Sequence, residues 1–74
     1  MPYVNIKVTR EGGPNGMGPS DEEKALLIKG VTKLLQDVLN KSPASTFVVI
    51  DEVELGSWGI GGLPVPEYRK QING

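Results

Sequence analysis

The segment Thr46-Phe47-Val48-Val49-Ile50-Asp51-Glu52-Val53 is apolar on both of its alternating sets, Phe47/Val49/Val53 and Val48/Ile50. Its density of β-branched and aromatic residues predicts a strand. A strand apolar on both sides needs cover on both sides. One helix covers only one face of a two-stranded sheet, so the other face is expected to meet a second copy of the chain. Length presses the same way, because a chain of about 60 residues buries only ~60% of the surface its unfolded form exposes, and this chain has 74 residues. Cysteine and histidine are both absent, so no disulfide or thiolate zinc site is available, and a zinc site would need carboxylates alone. Association is the remaining way to complete the core.

Upstream, Val4, Ile6 and Val8 alternate with Tyr3, Asn5, Lys7 and Thr9, the period of two that marks a strand. Glu11 to Pro19, EGGPNGMGP, holds too many helix and ladder breakers to be anything but a surface loop. Ser20-Asp21-Glu22-Glu23 then reads as a capping box opening a helix that runs to Leu39. Leu27, Val31, Leu34 and Val38 form its apolar stripe, and Lys24, Lys29, Lys33 and Asp37 its wetter side. Gly30 inside the helix predicts a close packing contact, and Asn40 and Pro43 stop it. At ~1.5 Å per residue this helix is roughly 28 Å long, enough to return the chain to the start of a parallel second strand. Glu54 to Gly62, ELGSWGIGG, predicts a hairpin or bend carrying Trp58 outward, and the tail from Leu63, with Pro64 and Pro66, one short turn. The expected fold is thus α/β in the α+β sense. It consists of one β-α-β unit with parallel strands and a C-terminal hairpin, a single domain over 1–74, assembled into an oligomer.

Eight basic and nine acidic residues give a net charge of −1 with no basic block, which argues against a nucleic-acid partner. No apolar run approaches the ~18 residues of a membrane span. A cytoplasmic oligomer is the expectation.

Met1-Pro2 carries the one unusual chemical group. If Met1 is removed, Pro2 has a free secondary amine with no amide resonance, able to act as a base near neutral pH. Trp58, the sole tryptophan, is an interface anchor or a pocket wall. Arg10 and Arg69 are the only arginines and, with Lys7, read by themselves as surface charges. Asp51, Glu52 and Glu54 read as strand-end charges in water, with no partner cluster spaced for a metal. The glycine run around Trp58 lacks the Lys-Ser/Thr ending of a phosphate loop.

Met-Pro before an alternating strand, the Ser-Asp-Glu-x-Lys helix start, the β-branched second strand and Ser57-Trp58-Gly59-Ile60-Gly61-Gly62 together resemble the 4-oxalocrotonate tautomerase family. The resemblance spans roughly Pro2 to Gly62. It implies removal of the initiator methionine, a hexamer built as a trimer of dimers, no cofactor, Pro2 as general base and Trp58 as the apolar pocket wall. It further implies a tautomerase acting on a conjugated 2-hydroxydienoate or keto-enol acid. Family members that isomerise dicarboxylates hold the substrate with two arginines. Here the position of the second falls on Phe47, and Arg10 matches the first only approximately, since Pro19 precedes the capping serine. Phe47 therefore predicts a preference for one carboxylate. Arg10 lies roughly 26 Å along an extended strand from Pro2 at ~3.3 Å per residue, so it serves Pro2 only from another subunit. Antiparallel pairing of two first strands would bring them together. The rival readings are a hydratase or dehalogenase of the same superfamily and a non-catalytic oligomeric binding protein.

Overall fold

A computed structural model describes residues 1–73 of the chain. Strand β1, Tyr3–Thr9, pairs in parallel with β2, Phe47–Val53, in a register running from Tyr3↔Phe47 to Thr9↔Val53. Between them helix α1, Asp21–Leu39, makes the crossover. Its start is fixed as the sequence predicts: Glu23 N donates to Ser20 Oγ at 3.1 Å and Ser20 N to Glu23 Oε1 at 2.9 Å. At its other end Asn40 adopts the left-handed conformation (φ 56°) and its amide bonds Gln36 O at 3.0 Å. A short 3₁₀ turn, Pro43–Ser45, leads into β2.

In this register Val4, Ile6 and Val8 share a face with Val48, Ile50 and Glu52. That face meets α1, whose half-buried residues are Lys24, Val31, Thr32 and Leu35. Two expectations are corrected here. Lys24 lies on the sheet side of the helix, paired with Glu52, because a long side chain at the helix start reaches the acid at the strand end. Gly30 packs against nothing, since a Cβ there would meet no atom within 4 Å. The other sheet face carries Tyr3, Phe47 and Val49, all exposed.

Beyond β2 a 3₁₀ turn, Leu55–Ser57, leads to a small antiparallel hairpin of β3, Gly59–Ile60, and β4, Leu63–Pro64. The tail is not one short turn but a helix, α2, Val65–Asn73. Pro66 is compatible with it because the first-turn amides have no helical acceptor to lose. Trp58 turns inward beneath this helix, half-buried, rather than outward.

Val65, 7% exposed, is the only buried apolar residue among those described. The chain extends 48 × 27 × 17 Å with a radius of gyration of 15.7 Å, against roughly 11 Å for a compact chain of this length. No helix among the described residues is long and apolar enough to cross a membrane.

Candidate active site

Pro2 stands just outside β1, and its carbonyl accepts the Phe47 amide at 3.0 Å. The ladder therefore fixes the proline's carbonyl side, while its nitrogen is joined to the exposed Met1. Phe47, 51% exposed, is the first residue of β2 and stands beside Pro2 at this end of the sheet.

Arg10 is at the opposite end, where its amide donates to Val53 O at 3.0 Å. Its Nε lies 3.1 Å from Glu54 Oε1 and 3.9 Å from Glu52 Oε2. Glu52 is in turn paired with Lys24, whose ammonium holds its carboxyl below the usual carboxylate range despite partial burial, with a further contribution from Arg10. Of the predicted strand-end charges only Glu54 is largely in water, because Glu52 falls on the helix-covered face. Asp51, on the open face, accepts from Asn5 Nδ2 at 2.8 Å and Lys7 Nζ at 2.9 Å.

The glycine-rich loop folds back on this same end. Gly18 is buried against the Thr9 and Arg10 backbone at φ 109°, and its amide bonds Gly12 O at 3.1 Å. Gly13 is required as glycine, because a Cβ there would lie 2.0 Å from Gly18 O.

Trp58 shares the Arg10 end. The Val65 amide donates to its carbonyl at 2.9 Å, and its ring lines a cavity of about 430 Å³ with Ile60, Val65, Tyr68 and Ile72. The polar edge of this cavity is a two-bond pair, Arg69 Nη1 to Glu11 Oε1 at 2.9 Å and Nη2 to Oε2 at 3.1 Å. The Thr9 hydroxyl also donates to Glu11. Arg69, then Thr9, hold the Glu11 carboxyl below its usual range. Sequence reasoning missed Glu11, Tyr68 and Arg69 as neighbours of Trp58. The signal was present in the helical spacing of Val65, Tyr68, Arg69 and Ile72.

Within one chain, then, Pro2 and Phe47 occupy one end of the sheet and Arg10 and Trp58 the other. No cluster of three or more acidic, histidine or cysteine groups suited to a metal occurs among the described residues.

The fold is a parallel β-α-β unit closed by a short hairpin, with Pro2 just before its first strand, in the class of small α+β proteins. The chain belongs to the tautomerase family: the profile described as tautomerase enzyme matches residues 2–68. It is 52% identical over 73 residues to probable tautomerase K2 of Dickeya dadantii, covering 99% of this chain and all of that one. It is 45% identical over 71 residues to a probable tautomerase of Helicobacter pylori, covering 96% of this chain and 98% of that one. Among solved structures, DmpI from Helicobacter pylori superposes with a TM-score of 0.79 at 45% identity, covering 93% of this chain and 97% of that one. The heterohexamer 4-oxalocrotonate tautomerase of Chloroflexus aurantiacus shares the fold, with a TM-score of 0.73 at 24% identity over 90% of this chain and 97% of that one.

Proposed function

We propose that this single-domain chain is a cofactor-independent tautomerase that moves a proton within a conjugated 2-hydroxydienoate or keto-enol acid. Pro2 is its general base once Met1 is removed. The observation that supports the reading is the bond from the Phe47 amide to the Pro2 carbonyl, which anchors Pro2 at the end of the sheet next to the first residue of β2. The neutral amine accepts a proton from the enol hydroxyl or allylic carbon and returns it at the far end of the conjugated system. Arg10 of a neighbouring subunit binds the carboxylate and draws electron density toward the carbonyl, and Trp58 excludes water.

Assembly is part of this proposal. The chain exposes 5401 Å², whereas a folded monomer of 8.0 kDa exposes roughly 4,450 Å². The surplus, roughly 950 Å², is close to one partner's share of a standard interface. Large apolar side chains are exposed on two faces, Tyr3, Phe47 and Val49 on the open sheet face and Leu26, Leu34 and Val38 on α1. Antiparallel pairing of two β1 strands, and closure of three such dimers into a hexamer, covers both faces and brings Arg10 to Pro2.

The test compares specificity constants for one enol acid across three forms at confirmed oligomeric state. These are the processed protein, a form with Met1 retained, and Pro2→Ala. Retained Met1 makes the nitrogen an amide whose lone pair is delocalised, so activity should fall by about 10²–10⁴-fold. Pro2→Ala keeps a free but more mobile amine and should fall less. Equal activity with and without Met1 would eliminate Pro2 as the base.

A further inference from the structure

Arg10 leaves β1 with its backbone fixed by the ladder, but its side chain needs its own support. Two carboxylates, Glu52 at the end of β2 and Glu54 just beyond it, lie beside it, the approaches at Nε being 3.1 Å to Glu54 and 3.9 Å to Glu52. Nη1 and Nη2 make no hydrogen bond among the described residues, and together they match a carboxylate with two parallel bonds. The two supports are unequal. Glu54 is 70% exposed and Glu52 only 16%, and an exposed pair is weakened by water and by the ordering of two long side chains. Glu52 is also tied at its second oxygen, Oε1, to Lys24 in the first turns of α1. That turn is itself anchored by the Ser20–Glu23 capping box. Glu52 therefore bridges a fixed helix start and the guanidinium.

We infer that Glu52, tethered by Lys24, is the positioning residue for Arg10, aiming its Nη end at a substrate carboxylate, with Glu54 as the weaker second support. The inference rests on the proposed role of Arg10. Glu52 touches no substrate in this arrangement. Two effects oppose each other when its charge is removed. A nearby negative charge weakens anion binding, and at about 7 Å in a watery setting its loss would tighten binding roughly two- to threefold. Misplacing a charge-assisted fork costs about tenfold or more. Geometry outweighs charge.

The test is steady-state kinetics of the assembled full chain on an enol monoacid and on its methyl ester. The variants are Glu52→Gln, Lys24→Met, Arg10→Gln and Glu52→Gln with Arg10→Gln. Glutamine keeps the shape of Glu52, and oligomeric state is verified for each variant. Glu52→Gln should lower kcat/KM for the acid about five- to tenfold, chiefly by raising KM, and should move the ester far less. Lys24→Met, which cuts the tether without removing the charge beside Arg10, should raise KM likewise. In the Arg10→Gln background Glu52→Gln should add nothing, whereas a merely structural role would add its full effect. The positioning role alone is overturned if Arg10→Gln raises KM while Glu52→Gln leaves it unchanged or lowers it. If Arg10→Gln itself leaves KM unchanged, the carboxylate-binding role falls and the positioning role with it.

Discussion

The charge preference of the proposed site is tested most directly at Phe47. It stands exposed beside Pro2, where dicarboxylate-handling relatives are expected to present a cation. A charge-assisted hydrogen bond contributes about 1.5–3 kcal/mol, so Phe47→Arg should shift the diacid-to-monoacid ratio of kcat/KM toward the diacid by about 10–100-fold. Paired assays on a dienol monoacid and its diacid measure it, and an unchanged ratio would mean that the position does not face substrate. A second prediction concerns acid. Hydrogen bonds from Lys7, then Asn5, depress the Asp51 carboxyl, and Arg69, then Thr9, depress Glu11. A carboxylate lowered in the folded state contributes stability that is complete above its unfolded value, near ~4, and is lost as pH falls through the depressed one. Thermal unfolding should therefore show an acid limb below pH ~4 that flattens in an Asp51→Asn, Glu11→Gln protein; an identical limb would refute the assignment. Pro2, Phe47, Arg10 and Trp58 could be singled out as candidates from residue types in a pattern. The partners of Arg10 could not, because whether Glu52 or Glu54 meets it depends on which strand face the helix covers, and charge runs do not record that.

Among the elements, α1 and the two long strands were legible because each repeats its period over several turns or residues. The C-terminal helix was not. Pro64 and Pro66 read as breakers, yet a proline in a helix's first turn removes no hydrogen bond, and Val65, Tyr68, Arg69 and Ile72 then fall on one side. The Arg69–Glu11 pair holds this helix over Trp58. Arg69→Gln should loosen it, and the emission of the only tryptophan should move to longer wavelength as water gains the ring. No change in emission would mean that packing by Val65 and Tyr68 suffices. Gly30 offers the opposite kind of test. With open space around it, Gly30→Ala should raise helix stability by up to ~1 kcal/mol and Tm by about 4–8 °C. A loss of assembly instead would show that Gly30 meets a neighbouring subunit, which is where the packing contact expected from its place in the helix would then lie.

For the whole molecule, the separation of Pro2 from Arg10 along β1 makes a sharp prediction about mixtures. A chain with Met1 retained lacks the base but keeps Arg10, and Arg10→Gln keeps the base but lacks the cation. Unfolded together and reassembled in equal amounts, the two should regain activity at about a quarter of the sites under random pairing, far above either alone. No recovery would place both groups in one chain's site or neither. The proposal of association was already suggested by the two-faced apolarity of β2 and the absence of cysteine. Its extent was not, since only the three-dimensional arrangement shows that α1 carries an unpartnered row as well. Because Val65 is the only buried apolar residue among those described, a lone chain has little interior to stabilise it before it meets another. Gaining activity is then paced by encounter: after dilution from denaturant, recovery should be second order, and halving the chain concentration should about double its half-time. During that interval a newly made chain is open to proteases, so the amount of working protein should fall more steeply than the rate of its synthesis.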